Sequence, residues 1–352
     1  MSRPAAPGAA TLRTLVARAT LAPSTRNTQP WQWTVHADHV ELELDPAVAR
    51  RLHANDPLGR ELVMSCGAAL LTLRVAAAEA LFDARVDVLP DPHRPTLLAV
   101  VTLSSTVVDA VFADLDAVVP LRHTVWSGFD DRPLPAGLAD RLAAEAHVEG
   151  ATLHEVPAGD RQPLTDLLRH ADREQYDDLE RRTEIAEWIS APWADVGRVV
   201  PAVAVVPARA AVRHLDLGPR TADRDALLLD HAPYVAVLTT SADGPAHWLA
   251  AGQALQRVLL VAAGEHVFGG FLNAPCQVDD DRQRLRDLIP GHPCPQAVLR
   301  LGYPLAPPAG TPRRPVDDVL TVRDGPPGAA EDPPAPALAR EEGTDFPGDT
   351  LG

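Results

Sequence analysis

The sequence predicts an α+β protein made of two related halves, each a mainly antiparallel sheet flanked by helices. Two long apolar stretches have helical composition, and each is followed by a turn and an apolar strand. The two stretches also match: Gly67-x-Ala69-Leu70 in the first corresponds to Gly252-x-Ala254-Leu255 in the second. If the match is not a coincidence of an alanine-rich sequence, the chain folds as a pseudo-dimer whose central helices pack through small residues.

The first half, residues 10–110, contains the clearest local patterns. Apolar residues at helical spacing predict a helix over residues 10–19. Alternation predicts a hairpin of strands 33–36 and 40–44, turned at residues 37–39. A helix over residues 55–80 follows, with Asn55 or Asp56 as its cap and Pro57 in its first turn. Because it is apolar nearly all round, we expect this helix to be central. Two strands, 86–89 and 97–103, end the half.

The second half, residues 111–323, carries a long insertion. Helical patterns cover residues 137–146 and 162–189, whereas residues 192–232 have little regular pattern, and a strand is expected at 297–301. A region this long with so little pattern favours a functional lid or a surface insertion, which we expect around residues 150–232. Residues 324–352 are rich in proline and acidic residues and are predicted to be a disordered tail.

Composition excludes several classes of function. The chain has 352 residues and a net charge of -16, which argues against binding to nucleic acid or to an anionic membrane. All 32 basic residues are arginine, so there is no lysine for pyridoxal phosphate chemistry or for a P-loop. We expect a small-molecule ligand and a monomer with internal pseudo-twofold symmetry.

The cysteines and apolar runs point to the cytoplasm. Cys66, Cys276 and Cys294 form no CxxC and no metal-binding spacing, so we expect reduced thiols and no metal site. Cys66 lies in the apolar helix, where a small buried filler is favoured over a redox thiol. The longest apolar run contains Arg74 and Glu79 and predicts a buried helix, not a membrane span.

One loop between the first helix and the first strand has the composition of a binding loop. This signature loop, residues 22–31, reads Ala-Pro-Ser-Thr-Arg-Asn-Thr-Gln-Pro-Trp. Its prolines restrict the backbone, and its short polar side chains can direct several donors at one flat ligand. The alternative is an Asn/Pro turn anchored by a buried Trp31.

Two arginine-containing segments lie in the second half. Arg122-His123-Thr124 combines a planar guanidinium with a hydroxyl, which is a donor set suited to phosphate. Arg313-Arg314 follows the run Leu301-Gly302-Tyr303-Pro304. Taken alone, the first segment is weak evidence and favours a solvated turn, and an arginine pair such as the second is usually solvated charge.

Together these segments resemble the flavin-dependent nitroreductases, and specifically the actinobacterial Acg-like group. The signature loop is similar to the Ala-Pro-Ser-x-x-Asn-x-Gln-Pro-Trp motif that reaches over the isoalloxazine of FMN in that family. The runs that begin at Gly59, Trp248 and Pro295 resemble the Acg-like proteins, and the similarity extends over residues 12–322. The chain departs from the family at Trp126, where a second basic residue is expected.

The resemblance implies an FMN-dependent oxidoreductase with the nitroreductase fold. Electrons would pass from NAD(P)H to a nitro, quinone or similar small acceptor, without a catalytic acid or nucleophile from the protein. One FMN would lie between the halves, because only the first half has the signature loop and only the second has both arginine segments. The implied cofactor-binding residues are Pro23, Ser24, Thr25, Asn27, Gln29, Arg122, His123, Thr124, Phe271, Leu272, Asn273, Arg313 and Arg314.

Two alternatives to catalysis remain open at this point. The insertion could cover the flavin permanently, in which case the protein stores or sequesters FMN. Alternatively, Trp126 could mark a lost phosphate site in a protein that has become a scaffold. Retained flavin that is inert to nicotinamides would indicate storage, and purification without flavin would indicate a scaffold.

Overall fold

The computed structural model describes residues 7–49, 52–105, 108–190, 221–308 and 310–323. The described residues form an α+β fold, as the sequence predicts, with two sheets and two long central helices. The predicted tail at 324–352 and residues 191–220 of the predicted insertion lie outside the described residues.

The first sheet has five strands, and all but one of them come from the first half. Its spatial order is β3-β4-β2-β1-β9. These strands are β1 (Trp31–Val35), β2 (Val40–Leu44), β3 (Phe82–Val88), β4 (Leu97–Ser105) and β9 (Leu320–Val322). The predicted hairpin is confirmed, since β1 and β2 pair antiparallel. β9 pairs parallel to β1, so the end of the described chain returns to the first sheet.

The second sheet is antiparallel and has the order β5-β6-β8-β7. Its strands are β5 (Thr152–Glu155), β6 (Tyr234–Thr240), β7 (Phe268–Phe271) and β8 (Cys294–Gly302). The sequence pattern predicts only β8 among these. β6 and β8 are buried along their whole length, so neither shows the alternation that marks a half-exposed strand.

The two central helices, α3 (Arg60–Glu79) and α9 (Pro245–Gly264), pack directly against each other. A β-carbon on Gly67 would overlap the carbonyl oxygen of Leu249, and one on Gly252 would overlap the carbonyl of Met64. Backbone therefore meets backbone at both glycines. This contact confirms the predicted close approach through small residues.

Nine further helices complete the described fold. They are α1 (Ala9–Ala19), α2 (Pro46–Ala49), α4 (Ala110–Ala113), α5 (Leu138–Val148), α6 (Gln162–Asp177), α7 (Leu179–Ser190), α8 (Thr221–Asp230), α10 (Ala274–Gln277) and α11 (Asp279–Leu288). α8 corrects the prediction that residues 192–232 are irregular throughout.

The predicted start of the long central helix is wrong by several residues. α3 begins after Gly59, which has a φ of 71° and serves as the N-cap. Asp56 lies before the helix, yet its side chain still accepts a hydrogen bond from the backbone N–H of Leu62 at 3.0 Å. α3 is also the one described helix long and apolar enough to cross a membrane, but it is almost wholly buried inside the molecule, as the sequence predicts.

Candidate functional site

The signature loop joins α1 to β1, as predicted, and has a strained backbone. Residues Thr25–Asn27 form a single 3₁₀ turn. Arg26, Asn27 and Gln29 have positive φ angles of 48°, 57° and 50°. Non-glycine residues pay roughly 1 kcal/mol or more for this region, so such strain persists only where neighbouring contacts impose it.

Hydrogen bonds to α3 and within the loop impose this conformation. The hydroxyl of Ser24 accepts from the backbone N–H of Gln29 at 3.0 Å. The backbone N–H of Thr25 donates to the hydroxyl of Ser65 at 3.0 Å, and its own hydroxyl donates to Glu61 at 2.8 Å. Trp31 is fully buried and anchors the end of the loop.

The C-terminal arginine segment crosses this loop. The side-chain amide of Asn27 donates to the carbonyl oxygen of Pro312 at 3.1 Å. Arg313 donates to the carbonyl oxygens of Leu21 and Ala22, at 3.1 and 3.3 Å. The tertiary fold therefore brings Arg313 against the loop.

Arg314 holds the same segment on the other side. Its backbone N–H donates to the side-chain oxygen of Gln29 at 2.7 Å, and its guanidinium lies 3.5 Å from the carboxylate of Asp45. Gln29 is fully buried. In this conformation Arg314 is ion-paired with Asp45, while its Nε is buried without a hydrogen-bond partner among the described residues.

Arg122, in the other arginine segment, also approaches the start of the signature loop. Its side chain is buried and donates to the carbonyl oxygen of Leu21 at 3.3 Å, while its Nε and Nη1 are buried without a hydrogen-bond partner among the described residues. The Nε of Arg313 is unpartnered in the same way. Within the described ranges neither guanidinium forms an ion pair with a carboxylate.

The pKa values of this cluster follow from burial and like charge. Burial, and then the charge of Arg313, lowers the pKa of Arg122 to about 9. Burial lowers the pKa of Arg313 to about 10. The pKa of His123 is lowered by burial and by both arginines. Neighbouring positive charges with unpartnered N–H groups are a donor set suited to an anion.

Thr124 lies at the edge of the second sheet, beside this cluster. It forms an isolated bridge with Gly269 of β7, and the next residue, Val125, donates its N–H to the carbonyl oxygen of Gly269 at 2.8 Å. The segment that contains Arg122 and His123 therefore enters the site along the β7 edge.

Phe271, the last residue of β7, and the next two residues were expected against one face of the flavin ring, and their side chains make the following contacts. Phe271 is partly buried against the main core. Leu272 is fully buried in the second apolar cluster. The side-chain oxygen of Asn273 accepts from the backbone N–H of Val298 at 3.0 Å.

A buried polar network beneath the loop went unassigned at the sequence level. Glu61 accepts from Thr25 and also from the side-chain amide of Gln277 at 2.8 Å. Arg60 donates to the carbonyl oxygens of Gln296 and Cys276, at 2.6 and 3.0 Å. The signal was present in the sequence: charged residues open an otherwise apolar helix directly after the loop.

α7 is the second described helix of the predicted insertion. It is hydrogen-bonded to residues close to the signature loop. Glu184 accepts from the backbone N–H groups of Ala54 and Asn55 at 2.8 and 3.1 Å, and from the Asn55 side chain at 2.6 Å. The Asn55 oxygen in turn accepts from Arg26 of the loop at 3.2 Å. Part of the insertion thus shares a hydrogen-bond network with the loop.

Comparison with known proteins identifies relatives along nearly the whole chain. No family model matches the sequence. The chain is 32% identical over 330 residues to "Putative NAD(P)H nitroreductase Rv3131" of Mycobacterium tuberculosis, covering 89% of this chain and 92% of the relative. It is 31% identical over 336 residues to "Putative NAD(P)H nitroreductase acg" of the same organism, covering 89% and 96%.

Solved structures were compared as well. A nitroreductase-like family protein from Bacillus cereus has a TM-score of 0.38 at 15% identity, over 60% of this chain and 96% of that chain. A nitroreductase with bound FMN from Bacteroides fragilis has a TM-score of 0.35 at 12% identity, over 54% and 88%.

Proposed function

Because the chain belongs to the nitroreductase family that includes Rv3131 and Acg of Mycobacterium tuberculosis, we propose that it is an FMN-dependent oxidoreductase. It takes electrons from NAD(P)H and passes them to a nitro, quinone or similar small acceptor. The names of its relatives support this reaction class, and the sequence resemblance made the same prediction.

The observation that carries the proposal is the pairing of Arg122 with Arg313. Both guanidiniums have buried N–H groups without hydrogen-bond partners in the described part of the chain, and the charge of each lowers the pKa of His123. Phosphate oxygens accept hydrogen bonds from guanidinium and neutralise adjacent positive charges. The FMN phosphate is the proposed occupant. The family pattern has a second basic residue where this chain has Trp126. Arg313 supplies the second guanidinium in its place.

The signature loop supports a single flavin held between residues of the two halves. Asn27 and Arg313 share a hydrogen bond at 3.3 Å, so the loop of the first half already touches the phosphate-binding residues of the second. Pro23, Ser24, Thr25 and Gln29 shape the loop, and Thr124 contributes a hydroxyl from the β7 edge. This division agrees with two fused halves that together complete one site.

When bound, FMN supplies the electron transfer itself, and the protein contributes binding and positioning. Arg122 and Arg313 hold the phosphate by charge and hydrogen bonds. Glu61 and Ser65 keep the strained loop in place through Thr25. We assign no side chain as a catalytic acid or nucleophile.

A second candidate function is storage or sequestration of FMN without turnover. The observation that favours it is that Asn55 donates hydrogen bonds to the buried carboxylate of Glu184 in α7, next to Arg26 of the signature loop. A helix held there by charge-assisted hydrogen bonds can restrict access to the loop. The same helix serves as a gate if those bonds open during turnover.

One spectroscopic experiment separates these functions. The visible absorbance of the purified protein, with FMN supplied, is recorded anaerobically before and after addition of NADPH and then NADH. A bound-flavin band that bleaches supports the reductase. A band that persists against both nicotinamides supports storage. Absence of any bound flavin would overturn both functions and favour the scaffold.

A further inference from the structure

Three side chains with metal-ligating atoms meet at the turn between β1 and β2. His36 follows β1, His39 lies in the turn, and Glu41 is on β2. The Nε2 of His36 is 3.6 Å from one carboxylate oxygen of Glu41, and the Nε2 of His39 is 4.0 Å from the other. One ligand atom from each residue lies within 4.8 Å of the other two.

The hydrogen bonds of His39 direct a lone pair towards Glu41. Its Nδ1 is 2.8 Å from the carboxylate of Asp38. A carboxylate accepts, so Nδ1 carries the proton, and in a neutral ring Nε2 is then an acceptor. An imidazole lone pair facing a carboxylate oxygen is repulsive unless a cation lies between them. A carboxylate on the distal nitrogen is also the usual partner of a metal-binding histidine.

His36 presents its Nε2 to the same carboxylate. Its side chain is only 10% exposed, and its Nε2 is buried without a hydrogen-bond partner among the described residues. The two imidazole rings are stacked, with centroids 4.3 Å apart and planes 11° from parallel. Both Nε2 atoms face Glu41, but a shared ion must lie in the plane of each ring, so binding by both requires the rings to turn out of this parallel stack.

Glu41 is ionised and rigidly held. Both of its oxygens accept from Arg94, each at 2.9 Å, and these hydrogen bonds keep the pKa of Glu41 below its ordinary value. Each carboxylate oxygen has two lone pairs, so the Arg94 fork leaves a second lone pair on each oxygen. Arg94 therefore orients the carboxylate and still permits it to act as a ligand.

We propose that His36, His39 and Glu41 form a binding site for a divalent transition-metal ion of the zinc class. Bonds of about 2.1 Å in a tetrahedral site set its ligand atoms about 3.4 Å apart, close to the observed separations of 3.6 and 4.0 Å, so binding requires mainly that the two rings rotate until both Nε2 lone pairs point at one ion. A cavity of about 10 Å³, close to the minimum that holds one water, adjoins both rings. Two imidazoles and a carboxylate favour zinc over magnesium or calcium.

This site is separate from the proposed phosphate site at Arg122 and Arg313. The signature loop enters β1 at Trp31, whereas His36 follows the opposite end of the strand, where Val35 pairs with Val322 of β9. A metal ion here ties the two strands of the hairpin together at the turn. Its effect is therefore expected on the stability of the hairpin and not on the retention of FMN.

The test is metal binding by tag-free protein. Titration with Zn²⁺ is followed by calorimetry, and Co²⁺ loading is followed by its visible absorption, which is strong in tetrahedral coordination. The variants are His36→Gln and His39→Gln, and the control is His93→Gln on the exposed turn between β3 and β4. Melting curves without metal establish that all three variants fold.

We expect one equivalent of Zn²⁺ that His93→Gln retains and the other two variants bind at least about tenfold more weakly. The wild type should gain thermal stability with Zn²⁺ but not with Mg²⁺. The proposal is overturned if the wild type binds no Zn²⁺, or if His36→Gln and His39→Gln bind as tightly as the control.

Discussion

Arg122 and Arg313 donate to the same backbone carbonyl oxygen, that of Leu21, at 3.3 and 3.1 Å. They come from separate segments of the chain, and both approach the start of the signature loop. Because both side chains are positive and part of each guanidinium is buried, their proximity costs free energy in the absence of an anion. The proposed phosphate site and the stability of the flavin-free protein are thus coupled.

Replacing Arg122 by Met should therefore weaken FMN binding and stabilise the flavin-free protein. A lost charged hydrogen-bond donor costs about 1.5–3 kcal/mol, which is roughly a 10- to 100-fold increase in the Kd for FMN. Removal of the buried charge should raise the melting temperature without FMN. Fluorescence titration and thermal melts measure the two effects. Arg141→Met, at an exposed ion pair with Glu265, is the control. An unchanged FMN affinity in Arg122→Met would refute the phosphate assignment.

Asp56 should make the stability of the protein depend on pH. Burial, and then the charge of Glu61, raises its pKa to about 6, against the opposing charge of Arg60. The folded state thus holds a proton that the unfolded state releases near pH 4. The stabilisation that this proton gives is complete below about pH 4 and is lost as the pH rises through 6. Asp56→Asn keeps the acceptor for Leu62 and removes the titration.

Asp56→Asn should therefore become more stable relative to the wild type as the pH rises. The gain in relative unfolding free energy should reach up to about 3 kcal/mol between pH 4 and pH 7. Urea unfolding at several pH values measures it. Asp91→Asn, in the turn between β3 and β4, should show no such trend. A constant difference across this range would contradict the assignment.

Gly252→Ala should strongly destabilise the fold. Its new methyl group would overlap the backbone of Met64, which cannot move aside as a side chain can. Overpacking of this kind costs about 1–3 kcal/mol or more. Gly264→Ala, at the end of the same helix, meets only Val118 at 3.9 Å and should be tolerated. Thermal melts compare the two variants. Equal stability would mean that α3 and α9 can separate without penalty.

Glu184→Ala should loosen α7 from the region next to the signature loop. The carboxylate accepts from Ala54 and Asn55, so its loss leaves buried donors unpaired. We expect the rate of FMN release, or the rate of flavin reduction by NADPH, to increase about tenfold. This magnitude corresponds to the loss of one charged hydrogen bond. Glu180→Ala, on the same helix but exposed, is the matched control. Stopped-flow absorbance measures both rates. If the two variants behave alike, α7 does not restrict access.

The structure departs from the sequence pattern where burial or tertiary contacts dominate. β6 is buried throughout and shows no alternation, so its pattern does not distinguish it from a buried helix. The start of α3 was misplaced because Asn55 is engaged by Glu184 instead of capping the helix. By contrast, α1, the β1–β2 hairpin and the burial of Cys66 follow from periodicity and composition, and they were predicted correctly.

The sequence alone determined the α+β class, the family resemblance, the signature loop and the two small-residue faces of the central helices. These features depend on neighbouring residues, on helical or strand periodicity, or on motifs that can be read in order. The tertiary structure decided that Arg122 and Arg313 share one carbonyl, that Glu61 supports the loop, that Leu272 enters a core, and that His36, His39 and Glu41 converge. Those relationships depend on strand register and on contacts between distant segments, which local patterns do not encode.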